Sequence, residues 1–234
     1  NAELPAHSLS ILNELIDKGM QFTVATARTF ATVGKILAGL KINVPVILMN
    51  GVLVRDVENG EYVFKATMKY QTVKEIVNAI HKHNLYGFMY TVENNDMVAY
   101  YEKIATDAMR SFYEERKHKY YKAFLQTDDF MNVNSDIVYF SLLNTEEILR
   151  PLYEEICEIE DTEAVFYRDV YSENMWYLEV FSSKASKKNA VQFLREEYNY
   201  DKVICFGDNL NDIPLFQGSD KGYAVENARQ ELKD

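Results

Sequence analysis

The sequence predicts an α/β protein whose parallel-sheet core is split by an inserted α+β domain. Three observations carry this. Near the start, short apolar runs (Phe22-Thr23-Val24-Ala25 and Val46-Ile47-Leu48-Met49) alternate with helical patterns; strands buried on both faces read this way. In the middle, strand-like segments follow one another with few helices between, which indicates antiparallel pairing. After about residue 183 the first texture returns, ending in another apolar run, Val203-Ile204-Cys205-Phe206. The expected division is a core of 1–51 and 183–234 around an insert of 52–182.

Each element has its own reason. Leu9, Leu12, Leu15 and Ile16 recur at helical spacing, and Gly19 stops that helix. A strand over 22–25 runs into the turn Thr26-Ala27-Arg28, and a second helix is expected over 31–40. The strand 46–49 ends at Asn50-Gly51. In the insert, strands are expected at 52–55, 62–66, 85–92, 97–101, 123–126, 137–142, 164–168 and 176–181. Helical patterns interrupt them at 72–82, 105–117 and 146–158. The last stretch gives a helix over 188–197, the strand 203–206, and a helix from Asn211 with Pro214 in its first turn. A short strand at Tyr223-Ala224-Val225 completes the pattern.

Composition narrows the function. The 234 residues are 47% hydrophobic and 26% charged, an ordinary globular balance. The net charge of −11 repels a phosphate backbone, so nucleic acid is not an expected partner; the same charge also serves plain solubility. There is no apolar run long enough to span a bilayer. The first residue is Asn1 rather than Met, which leaves a removed leader open. Cys157 and Cys205 have no Cys or His at metal-ligand spacing and are expected to be buried, reduced thiols of a cytoplasmic protein.

Three patches have the chemistry of a site, each just past the carboxyl end of a strand or at a helix start. The strongest is Gly207-Asp208-Asn209-Leu210-Asn211-Asp212. Two carboxylates leaving one short loop repel unless a cation lies near, and Mg²⁺ prefers such oxygens. Taken singly, Asp212 also reads as a helix N-cap and Asp208 as a turn residue. In the second patch, Thr26-Ala27-Arg28, a hydroxyl and free amides at a helix start form a phosphate cradle, or a plain turn. The third is Ser186-Lys187-Lys188-Asn189-Ala190, where a lysine at a helix start opposes the dipole unless an anion is close; a solvated lysine cluster reads the same way.

In order and spacing these patches resemble the haloacid dehalogenase superfamily, and within it the Cof-like sugar-phosphatase type, over nearly the whole chain. The segment 22–28 resembles the family's second motif, Met49-Asn50-Gly51 its hinge into a cap domain, Ser186-Lys187 its third motif, and 207–212 its fourth, Gly-Asp-x-x-Asn-Asp. The segment 223–228 resembles the family's short strand after the fourth motif. The resemblance implies a Rossmann-like core with an inserted α+β cap, Mg²⁺ as cofactor and a small phosphorylated metabolite as partner. It implies that Asp208 ligates the metal, with Asp212 supporting the metal site and holding Lys187. Thr26, the Ala27 amide, Lys187 and Asn211 would bind the phosphoryl group, and Asn50 and Gly51 would form the hinge.

The chain departs from the family at three places. Ala27 and Lys188 stand where the family has glycines. The family's opening strand and Asp-x-Asp-Gly-Thr segment, whose first Asp attacks phosphorus, do not occur in the sequence; Asn1-Ala2-Glu3-Leu4-Pro5 resembles the stretch that family members carry just after that segment. The natural protein is therefore expected to extend further at its start, and also past Asp234. The leading expectation is a Mg²⁺-dependent phosphatase of sugar phosphates or phosphorylated cofactors. A non-catalytic phosphoryl-ligand binder and an enzyme that transfers phosphoryl groups to sugars are the alternatives. Tyr198, Tyr200 and Tyr223 are the only ones of 17 tyrosines outside the insert; most of the rest are expected to pack on strands, with two or three touching substrate.

Overall fold

The computed structural model describes residues 4–119, 123–169 and 174–233. Asn1, Ala2, Glu3 and Asp234, on which the expectations about the chain's ends rest, lie outside these residues, as do Tyr120, Tyr121 and Tyr171. The elements begin with α1 (Ala6–Asp17), α2 (Phe30–Val33), β1 (Val46–Leu48), β2 (Leu53–Arg55) and β3 (Tyr62–Lys65). Then come α3 (Tyr70–Lys82), β4 (Phe88–Glu93), β5 (Asp96–Tyr101), α4 (Asp107–Lys119), β6 (Ala123–Gln126) and β7 (Ile137–Asn144). The chain continues through α5 (Glu146–Cys157), β8 (Thr162–Arg168), β9 (Trp176–Ser182), α6 (Lys187–Glu197) and β10 (Ile204–Gly207). It finishes with α7 (Ile213–Gln217), β11 (Lys221–Ala224) and α8 (Gln230–Lys233). The contacts divide the chain into two compact units, Asn1–Lys65 with Lys184–Asp234, and Ala66–Ser183.

The first unit is the α/β one. β10 and β11 pair in parallel, with Gly207 opposite Ala224. β1, β2 and β3 form an antiparallel sheet, Leu48 opposite Leu53 and Leu53 opposite Lys65. That pairing explains why the division falls after Lys65 and not after Gly51: the 53–65 hairpin is hydrogen-bonded to a core strand. The expected strand at 22–25 is reduced to a parallel bridge, Ala25 to Ile47, closed by Thr26 N–H to the Ile47 carbonyl and Ile47 N–H to the Val24 carbonyl, each 2.9 Å. The helix expected over 31–40 survives only as α2. Gly34 caps it and Gly39 sits at φ +84°, and glycines favour leaving a helix over extending one. A core of Val44, Ile47, Val54, Ala190, Val191, Leu194, Cys205 and Leu215 joins β1, β2, α6, β10 and α7.

The second unit is a six-stranded sheet in the order β6-β5-β4-β7-β9-β8, antiparallel except where β5 meets β6. Its strands match the sequence expectation closely: the central ones, β4 and β7, are buried on both faces and so read as nearly continuous apolar and aromatic runs. One face, including Met89, Phe140, Leu142, Leu178 and Val180, packs on α3 and α5. α3 presents Val73, Ile76, Val77 and Ile80, and α5 presents Leu149, Leu152 and Ile156, both at helical spacing. The other face is aromatic: Phe88 stacks on Phe112 of α4 at 4.9 Å and Tyr139 on Phe181 at 5.6 Å. Among these rings lies Glu179, whose pKa burial pushes above the usual carboxylate range despite hydrogen bonds from Tyr139 and Tyr167.

One cysteine differs from expectation. Cys205 is buried on β10, but Cys157 is exposed. Cys157 comes directly after Ile156, which faces the sheet, and one residue along a helix turns the side chain about 100° away from that face.

Phe140 is 1% exposed and Ile148 of α5 is 46% exposed. Truncating Phe140 to Ala is expected to cost about 3–5 kcal/mol. Ile148→Ala should cost about 0.5 kcal/mol or less. Urea unfolding of the two variants checks the assignment of the sheet's packed face.

Candidate active site

The site is built from three short loops of the first unit. β10 ends at Gly207, and the chain turns through Asp208 and Asn209 into a 3-10 turn, Leu210–Asp212, that runs on into α7. Reciprocal side-chain bonds close this turn. Asn209 Oδ1 accepts from Leu210 N–H at 2.8 Å, and Asp212 Oδ2 accepts from Asn209 N–H at 3.2 Å. Asp212 Oδ2 also accepts the Asp208 amide at 3.0 Å. Such a capping arrangement satisfies amides that would otherwise be orphaned at a helix start.

The other oxygen of Asp212 meets Lys187. Ser186 caps α6, its hydroxyl accepting from Asn189 N–H at 3.0 Å, which makes Lys187 the first helical residue. The Lys187 side chain turns inward, 2% exposed, and its Nζ donates to Asp212 Oδ1 at 2.6 Å. Lys188 is exposed. Asp212 makes no side-chain cap bond to α7, so its carboxylate serves the loop and the lysine rather than the helix it precedes. Burial alone would raise its pKa; the Lys187 hydrogen bond, the Asp208 and Asn209 amides and the Lys187 charge outweigh that and hold it below the ordinary range. Gly207 leaves room for this: a Cβ there would stand 2.7 Å from Asp212 Cβ.

The third loop is Thr26-Ala27-Arg28. The Thr26 hydroxyl accepts from Arg28 N–H at 3.2 Å, so its own proton is left to donate. The Ala27 amide has no acceptor among the described residues. Ala27 is not among the residues with positive φ, so a side chain in place of the family's glycine brings no backbone strain.

These loops line one cleft of about 650 Å³, into which Thr26, Ala27, Lys187, Asp208, Asn211 and Asp212 all face. Asn50 and Gly51 lie beside it within the first unit, and Asn211 Nδ2 donates to Asn50 Oδ1 at 3.3 Å. Three further cleft residues with polar side chains received no role from the sequence: Arg28, Asn209 and Asn227. For Asn227 the signal was its strand. β11 runs parallel to β10, so the residues after it leave at the same sheet end as Asp208; the Asp208 carbonyl in turn accepts from Arg229 N–H at 2.9 Å.

The donor set fits a hard divalent cation. The exposed Asp208 carboxylate has no hydrogen-bond or ion-pair partner among the described residues, whereas both Asp212 oxygens are engaged. No group of three or more His, Cys, Asp and Glu suited to a metal occurs among the described residues. The single free carboxylate of Asp208 is a donor of the kind Mg²⁺ uses, since that ion is often held by one or two carboxylates, with waters and substrate phosphates completing its coordination.

Removing one partner of a buried ion pair strands the other, so Asp212→Asn is expected to cost about 3 kcal/mol at neutral pH. The stabilisation from a depressed carboxylate is complete above its ordinary value of 3.8 and is lost as pH falls through the lower folded value. The gap between wild type and Asp212→Asn should therefore be flat through neutral pH and close in acid, as read by urea unfolding at a series of pH values.

Comparisons with known proteins bear on the same geometry. Residues 1–234 match a family model described as haloacid dehalogenase-like hydrolase. Phosphatase YwpJ of Bacillus subtilis is 23% identical over 253 residues, covering 97% of this chain and 86% of its own length. A crystal structure from Eubacterium rectale superposes with a TM-score of 0.79 at 23% identity, over 99% of this chain and 84% of that one. BT4131, a sugar phosphatase of haloacid dehalogenase subclass IIB, gives 0.69 at 16% identity, over 99% and 84%. At these identities the structures speak for the fold, and the family model speaks for descent: this chain belongs to the haloacid dehalogenase-like hydrolases and is of their Cof-like type.

Proposed function

We propose that this enzyme is a Mg²⁺-dependent phosphatase of small phosphorylated metabolites, either sugar phosphates or phosphorylated cofactors, working in the cytoplasm. The observation that carries the reading is the convergence of Lys187, Thr26 and the Ala27 amide on one cleft with the free carboxylate of Asp208. Phosphoryl transfer is catalysed mainly by positioning and by positive charge around three equatorial oxygens, and this cleft supplies those groups. No described helix is long and apolar enough to cross a membrane.

Each residue then has a task. Thr26 donates its hydroxyl proton to one phosphoryl oxygen and Ala27 its amide to another. Lys187 donates a hydrogen bond to Asp212 and faces the same oxygens, so its charge is fixed in place before substrate arrives. Asp208, aided by the turn that Asp212 holds, would carry the Mg²⁺; when bound, the ion supplies charge neutralisation on the phosphoryl group. Asn211, on the lining of the cleft, would neighbour the phosphoryl group or the cation. In this reading the attacking carboxylate is that of the family's Asp-x-Asp-Gly-Thr segment, which is not among these 234 residues, and the reaction passes through an aspartyl-phosphate. The second unit, as the inserted cap, would select the substrate and exclude water.

The test uses protein expressed from its complete reading frame, with phosphate release measured over a panel of sugar phosphates. Turnover should require Mg²⁺, and Asp208→Ala should abolish it; a mutant of normal activity would refute the metal assignment. Lys187→Ala should lower turnover on the order of a hundredfold or more. Lys188→Ala, altering an exposed residue, should leave it unchanged. Phosphate binding without release would favour a phosphoryl-ligand binder, and phosphorylated sugar acceptors among the products would favour a transferase.

A further inference from the structure

We propose that Asn50 is a positioning residue that ties the phosphate loop to the carboxylate loop. Its effect on turnover rests on the phosphatase reading; the tie itself does not. The turn Met49–Gly51 is left-handed at all three residues, with φ of +50°, +56° and +98°. Two of the three carry side chains, and for them that region is sparsely populated. The conformation puts the turn in contact with all three loops of the cleft.

On one side its backbone holds the phosphate loop. Met49 N–H donates to the Arg28 carbonyl at 3.1 Å and Asn50 N–H to the Thr26 carbonyl at 3.0 Å. On a second side Gly51 lies against the start of α6. A Cβ there would stand 2.2 Å from the Ser186 carbonyl oxygen and 2.9 Å from the Lys187 nitrogen, so the turn seats directly on the backbone that carries the lysine. On the third side the Asn50 side chain receives Asn211 Nδ2 at 3.3 Å. Asn211 is exposed, and among the described residues this is the hydrogen bond its side chain makes. Asn50 thus fixes Thr26 through its amide and Asn211 through its side chain, joining segments 24 and 161 residues away along the chain. The turn lies wholly within the first unit.

The backbone geometry supplies a clean test. Glycine adopts φ +56° freely, so Asn50→Gly keeps the turn and removes only the side chain. In the complete protein this variant should melt at or above the wild-type temperature. Amide hydrogen exchange over 209–212 should nevertheless quicken, and kcat/KM for phosphate esters should fall about fivefold, the worth of one neutral hydrogen bond. Asn211→Ala, which also removes a side chain that lines the cleft, should show at least that loss, and the double variant no further loss than Asn211→Ala alone. Asn199→Gly, which alters another left-handed asparagine (φ +53°) remote from the cleft, should change neither exchange over 209–212 nor turnover. Unchanged exchange over 209–212 in Asn50→Gly, or additive losses in the double variant, would overturn the proposal. A wild type that releases no phosphate would refute the phosphatase reading and leave the exchange measurement to decide the tie.

Discussion

The geometry of the cleft depends on the buried ion pair between Lys187 and Asp212, 2.6 Å apart. Neither charge is tolerable there alone, because taking an ion out of water costs several kcal/mol after relaxation (on the order of what the pair and its hydrogen bonds return). The consequences spread outward. Asp212 must reach the lysine and still serve two amides, which fixes the turn after β10. The residue before that turn must be Gly207, since a side chain would occupy the space of Asp212. Lys187 must be the first helical residue of α6, so Ser186 caps that helix instead of a charged neighbour.

The pair also explains how an acidic protein offers a site for an anion. The net charge of −11 belongs to the whole surface, while the cleft is lined by Lys187 and Arg28 against Asp208 and Asp212, whose charges cancel. A phosphate ester therefore meets a neutral cleft with unsatisfied donors, not a repulsive one. A divalent cation at Asp208 would turn that balance positive, so cation and phosphate should favour each other's binding.

Much of the fold was legible in the sequence. The strands of the second unit announce themselves as short apolar and aromatic runs, and α3 and α5 by helical spacing, since one face of each helix is buried against the other elements. Less legible was whatever depends on partners far along the chain. The 22–25 run is apolar enough for a strand, yet its ladder is a single bridge, because pairing is a property of two segments and not of one. The hairpin 53–65 belongs to the core because it pairs with β1, which composition does not reveal. In the site, the residue types of Asp208, Asp212, Lys187 and Thr26 were readable as motifs. The distribution of Asp212's two oxygens was not, nor was the left-handed turn at 49–51, because both arise from where three distant loops meet.

The division into two units has a consequence for how the protein is made. The second unit is contiguous, so a ribosome has delivered all of it once residue 183 has emerged. The first unit is not, because α6, β10 and α7 are synthesised after the whole insert. Domains generally fold as units during synthesis, at about 5–20 residues per second. The six-stranded sheet can therefore close while α1 and β1 to β3 still wait for their partners. Val44, Ile47 and Val54, which pack on α6 and β10 in the finished core, stay uncovered for that interval. Chaperone dependence of the nascent chain should accordingly arise from the first unit and end when α6 and β10 arrive.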